Sequence, residues 1–122
     1  MAGCFEELFR EWVSRVCPGF VSDRVGSWWT RDEEIDVVAF DERHALFGEC
    51  KWSNRPMQTK DLDRLKERAR LVPELQGHRH SFALFSRSGF GPIRAPALRV
   101  GLDDLVLRRI PPGWSPPGSR SN

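Results

Sequence analysis

No apolar run in this 122-residue chain is long enough to span a bilayer, which argues against a helical membrane segment within it. Its first residues hold no basic stretch followed by an apolar one, so no secretory signal is expected. Cysteine is scarce, with only Cys4, Cys17 and Cys50. An odd count without CxxC spacing argues against a disulfide framework and against a cysteine-rich zinc site. A reduced, cytoplasmic setting is the simplest inference. His78 and His80 have no cysteine or histidine partners at ligand spacing, which also argues against zinc. Net charge is only +2 and by itself names no partner.

The distribution of that charge is more informative. Residues 1–52 hold 6 Lys/Arg against 11 Asp/Glu, and residues 53–110 hold 12 against 6. A chain divided this way can bind a cation on one side and an anionic polymer on the other, or its halves can neutralise each other across the fold.

Apolar content is ordinary and the length suits one domain, assigned here to residues 1–110. Phe5, Leu8, Phe9, Trp12, Val13 and Val16 recur at helical spacing, and Pro18-Gly19 stops that helix. Residues 24–31 read as a short aromatic strand, and residues 35–40 and 45–52 as two more. A second amphipathic helix starts at Thr59, a plausible N-cap, and turns Leu62, Leu65, Ala69 and Val72 inward. A strand follows over about 80–86. The GPIRAPALRVG stretch reads as weak helix or loop, and DLVLRRI as a last strand or part of a helix. Residues 111–122, with four prolines in PPGWSPPGSRSN, read as a disordered tail. The order is α-β-β-β-α-β: an α/β fold with a small mixed sheet flanked by helices, the fourth strand parallel to the third.

Charged residues interrupt two strands that otherwise belong in an interior. If Asp41 to His44 form the hairpin loop, facing residues have numbers summing to 85. Asp36 then faces Glu49, Glu34 faces Lys51, and Asp36, Glu49 and Lys51 share one face. Two opposed carboxylates repel, and partial burial makes each charge costlier. A hard divalent cation with oxygen ligands, Mg²⁺ or Mn²⁺, would resolve the conflict. The plainer reading has Lys51 pairing with Glu34 while Asp36 sits at the sheet edge.

Asp36, a hairpin, then Glu49-Cys50-Lys51 resembles the D…(D/E)xK core of the PD-(D/E)XK nuclease superfamily, which implies a restriction-endonuclease-like fold. EIDVVA followed by ECKW is similar to archaeal Holliday-junction resolvases. FGECKW with LFSRSGF more closely resembles an uncharacterised domain found C-terminal to prokaryotic AAA-type ATPases. The likeness covers roughly Phe5 to Phe90. It implies an Mg²⁺- or Mn²⁺-dependent endonuclease acting on DNA, with Asp36, Glu49 and the Cys50 carbonyl as metal ligands and Lys51 polarising the attacking water. Ile35 stands where the superfamily name places proline, a departure shared by related resolvases. Many members add a glutamate from the first helix. Helical geometry selects Glu6, at the edge of the apolar stripe, over Glu7 on the solvated side. No GxxxxGK[ST] motif is present in these 122 residues, so either the domain stands alone or an AAA-type ATPase partner lies elsewhere. Cleaving two strands also suggests a homodimer.

Lys60, Arg64 and Arg87 are candidate phosphate contacts, although basic residues on a helix diluted by Asp61, Asp63 and Glu67 more often form a solvated face. Trp28 and Trp29 could stack on unpaired bases or fill the core. Cys50 reads as a small apolar residue, not a nucleophile. The competing reading is a nuclease-fold module without useful activity, which binds nucleic acid or docks on an ATPase.

Overall fold

Two layers of helix cover the faces of one five-stranded mixed sheet. The structure, a computed structural model, describes residues 2–16, 18–93 and 96–111, with side chains from Phe5 onward. Cys17 and, apart from Pro111, the predicted tail lie outside the described residues, as does the side chain of Cys4. The elements are α1 (Ala2–Val16), β1 (Arg24–Trp29), β2 (Glu34–Phe40), β3 (His44–Lys51), α2 (Thr59–Ala69), a 3₁₀ turn (Pro73–Leu75), β4 (Arg79–Ser86), β5 (Leu98–Val100) and α3 (Leu102–Leu107). Sheet order follows chain order, β1-β2-β3-β4-β5. The first three strands form an antiparallel meander, and β4 and β5 each run parallel to their predecessor. The α/β class and the parallel placement of β4 are as the sequence implies. β5 lies within the stretch read as weak helix or loop, and α3 follows it where a strand or helix was left open. Three residues are too few for an alternation of apolar and polar positions to stand out.

Alternation along the strands feeds two cores. One face packs Val38, Phe47 and Leu84 under Leu62, Leu65, Ala69 and Val72. The other packs Val37, Ala39, Leu46 and Phe85 under Phe5, Phe9, Trp12 and Val13 of α1. The inward set expected for α2 is buried throughout. In α1 the buried arc is narrower than expected and leaves Leu8 half exposed. The indole Nε1 of Trp12 donates to the Asp104 carbonyl at 3.1 Å and ties α3 to α1.

The β2–β3 turn is held by its own side chain. Asp41 Oδ1 accepts the backbone N–H groups of Arg43 and His44 at 2.7 and 2.6 Å, the bonding that suits aspartate to turns. The first turn of α2 is closed by Gln58, not Thr59: its N–H donates to Asp61 Oδ2 at 2.8 Å. Thr59 is the first helical residue, and its hydroxyl donates to the Pro92 carbonyl instead.

Gly48 sets how closely α1 approaches the sheet. A Cβ at this position would lie 3.0 Å from Phe9 Cε2 and 3.1 Å from the Val37 Cβ. Phe9 and Val37 are both fully buried and cannot give way. Gly48→Ala is therefore expected to destabilise by about 1–3 kcal/mol, outweighing the smaller gain from a stiffer unfolded chain. Urea denaturation checks this, and unchanged stability would show that α1 can shift outward.

Candidate functional site

The hairpin register holds where the strands are apolar and fails where they become charged. Val37↔Gly48, Val38↔Phe47, Ala39↔Leu46 and Phe40↔Ala45 pair as the sum of 85 requires. The pairs Asp36↔Glu49 and Glu34↔Lys51 are missing from the ladder. A bulge explains the break. Between Gly26↔Val38 and Trp28↔Ile35, β2 advances three residues while β1 advances two. The extra residue turns Ile35 to the α2 side with Val38, and Val37 remains on the α1 side. Asp36, caught in the bulge, leaves the face predicted for it.

Its carboxylate instead bridges the opening between β2 and β3. Asp36 Oδ2 accepts the Cys50 N–H at 2.9 Å, and the Asp36 carbonyl accepts from Arg10 Nη1 at 2.9 Å. In an extended strand a residue's N–H and C=O leave on the same edge, so the Cys50 carbonyl also points into this opening. Carboxylate oxygens of Glu6, Glu34 and Asp36 lie within 4.8 Å of one another. Glu6 of α1 thus reaches the sheet, whereas Glu7 is exposed. Glu34, read as a cross-strand partner for Lys51, joins the acidic group instead. No sequence alternation could show this, because the bulge creates it.

Glu49 and Lys51 stand on the α2 side and are already paired. Glu49 Oε1 accepts from Arg68 Nη1 at 3.3 Å. Lys51 Nζ lies 3.6 Å from Oδ1 of the buried Asp61. Three carboxyls are held above their ordinary range. Burial is the main cause for Glu49, which is pushed up to about 7; Arg68 opposes the rise, and the charges of Asp36 and Asp61 add to it. Asp36 is raised by burial despite its bond from Cys50, with Glu34 adding repulsion. Glu6 is raised by burial and then by Asp36 and Glu34. Burial likewise pushes the Cys50 thiol up, which removes it as a nucleophile at neutral pH.

Arg68 lies on α2, whose basic residues read from pattern as phosphate contacts or as a solvated face, yet it is half-buried. It reaches the β1–β2 turn and two strands at once: Nε donates to Glu33 Oε1 at 3.1 Å, and Nη1 to the Glu34 carbonyl of β2 at 3.2 Å and to Glu49 of β3. Its spacing from Leu65 and Ala69, at the border of the apolar stripe, was the available signal. Arg68→Gln should cost about 2 kcal/mol at pH 8 and clearly less at pH 5, where Glu49 takes up a proton. Equal losses at both pH values in urea titrations would count against Arg68 as the partner that offsets Glu49.

The other basic candidates do not gather on the carboxylates, although the charge of Arg64 reaches Glu49 and opposes its rise. Lys60 and Arg64 are exposed on α2. Arg87 stacks its guanidinium on Trp52, 4.9 Å from the ring centroid, and donates to Asn54 Oδ1 at 3.3 Å. His78 and His80 contact the carbonyls of Asp41 and Leu75.

Fold and site together define a small mixed-sheet α/β protein whose central hairpin opens onto a gap lined by carboxylates. The first 67 residues match the model of the DUF234 family, archaeal and bacterial proteins of unknown function. That match spans more than half of the chain, which belongs to this family. No curated protein and no solved structure matches it. No helix among the described residues is long and apolar enough to cross a membrane.

Proposed function

We propose that this chain is a divalent-metal-dependent endonuclease that hydrolyses phosphodiester bonds in DNA. The observation that carries the reading is the convergence of Glu6, Glu34 and Asp36 carboxylates within 4.8 Å, two of them with proton affinities raised first by burial. Such a group gains most from a dication, and a donor set made only of oxygens suits Mg²⁺ or Mn²⁺. Asp36, Glu6 and Glu34 would hold the ion, with the Cys50 carbonyl on the facing strand. Glu49 would join once its proton is lost and Arg68 yields its place. Bound there, Mg²⁺ or Mn²⁺ would lower the pKa of a coordinated water and offset charge developing on the phosphate. Lys51, held by Asp61 on the α2 side of β3, would have to turn from that pair to steady the attacking water, the role the D…(D/E)xK resemblance implies for it. Where a substrate offers two strands, cutting both would call for two sites, which a homodimer would supply.

A second reading rests on the internal pairs. Arg68 already pairs with Glu49, and Asp61 with Lys51. A module that only binds nucleic acid, or docks on an AAA-type ATPase, could keep these pairs closed. The deciding experiment is an Mn²⁺ cleavage assay on branched, duplex and single-stranded DNA, with Glu49→Ala as control and melting curves beside it. The enzyme reading expects metal-dependent cleavage and a rise in Tm through millimolar Mn²⁺. Intact substrates with flat melting curves would leave the module reading in its place.

A further inference from the structure

Trp12 and Trp52 pack against other rings, and Trp28 packs against the α2-side core. Trp29 is 69% exposed. Its position relative to the acidic group is fixed by register: Trp29 pairs with Glu34 across the β1–β2 hairpin. Directly opposed residues project from the same face, with Cβ atoms about 5 Å apart, so the indole stands beside the Glu34 carboxylate. The connecting turn is braced. Thr30 N–H donates to the Glu33 carbonyl at 2.8 Å, and Glu33 N–H to Thr30 Oγ1 at 3.2 Å. Trp29, Arg31, Glu34, Asp36 and Arg68 line one cleft of ≈ 540 Å³. Arg31 is exposed and makes no ion pair among the described residues.

We propose that Trp29 is a stacking platform for an unpaired nucleobase, with Arg31 on the adjoining phosphate, and that the substrate is therefore single-stranded or locally unpaired DNA. This inference deepens the nuclease reading and rests on it for the identity of the polymer. A planar hydrophobic ring beside a cation-seeking acidic group fits a ligand with a planar apolar part and a phosphate. Aromatic rings accept any base, because every base offers a π face. A duplex keeps its bases stacked on each other and gives the indole nothing to cover. The cleft also carries Asp32 and Glu33, so its acids outnumber Arg31 and Arg68. Phosphate should enter only when a divalent cation is present.

Fluorescence anisotropy with a labelled single-stranded DNA 12-mer and its duplex, in Ca²⁺ or in EDTA, tests this on the full chain. Single-strand binding should require Ca²⁺. Trp29→Ala should weaken it about ten-fold or more, within the range for loss of one stacked base. Trp29→Phe should hold within about three-fold, and Trp29→Ala should leave the Mn²⁺-induced rise in Tm unchanged. Wild-type protein that ignores the single strand, or Trp29→Ala that binds it as wild type does, overturns the platform. So does an equal loss on the duplex. If Trp29→Ala weakens single-strand binding but no substrate is cut, the platform stands and the nuclease reading falls.

Discussion

Asp36→Asn is expected to reduce Mn²⁺-dependent DNA cleavage by at least about 10³-fold, the scale of several kcal/mol of lost transition-state stabilisation. Asparagine is chosen because Asp36 has two jobs that alanine would remove together. Its Oδ2 accepts the Cys50 N–H, and that donor would otherwise be left half buried and unpaired, a cost of about 1–3 kcal/mol. An amide oxygen can still accept that bond, but it brings no charge to a cation. Removing the charge also relieves repulsion with Glu34 and Glu6. The variant should therefore melt in EDTA no lower than wild type, while its Mn²⁺-induced rise in Tm disappears. Cleavage that persists in a variant with a normal melting profile would sink the metal assignment. Lys51→Ala is a poorer probe, since it strands the Asp61 carboxylate, buried to 2% exposure, without its cation. Pairing it with Asp61→Asn separates loss of activity from loss of fold.

What the sequence discloses follows from where its periodicities are long. α2 shows eleven helical residues with Leu62, Leu65 and Ala69 on one side, and all three are buried. The hairpin register was legible because a loop from Asp41 to His44 fixes it, and Val37 to Phe40 pair with Gly48 to Ala45 as that loop requires. The site lies one residue past that regular region. The bulge at Asp36 left only a faint local sign, the isolated Gly26 of β1 at the edge of the register shift. The acidic residues were therefore recognisable while their partners were misassigned. Glu34 joins Asp36, Lys51 turns to Asp61, and Glu49 turns to Arg68. Glu6 was within reach of the sequence because its position depends only on the regular pitch of α1. Arg68 was hidden among exposed basic residues of the same helix. Trp29 reads as core by type; only the alternation within β1, with Trp28 inward, sends it to solvent.

The metal-free protein is expected to lose stability as pH rises from about 4.5 to 7, the reverse of what ordinary carboxylates produce. Glu49 is the main source. In the unfolded chain it titrates at the ordinary value of 4.5, and in the folded protein at about 7, chiefly because it is buried. Between those values the native state binds more protons than the unfolded state, so stability falls with pH. The favourable contribution is complete below pH 4.5 and gone once pH passes about 7. Its side chain is only 13% exposed, and the gap corresponds to about 3 kcal/mol at most. Asp36 and Glu6, both raised, act in the same direction. Urea denaturation in EDTA at pH 5 and pH 8 measures the slope. Glu49→Gln should flatten it and make the metal-free protein more stable than wild type at pH 8, because a neutral amide can occupy the site without a buried charge. With millimolar Mn²⁺ wild type should regain the stability lost at pH 8, and Glu49→Gln should gain less, since Glu6, Glu34 and Asp36 still meet the cation but the amide brings it no charge. Wild-type stability that rises between pH 5 and pH 8 in EDTA would mean that Arg68 fully compensates Glu49, leaving it no need of a second cation.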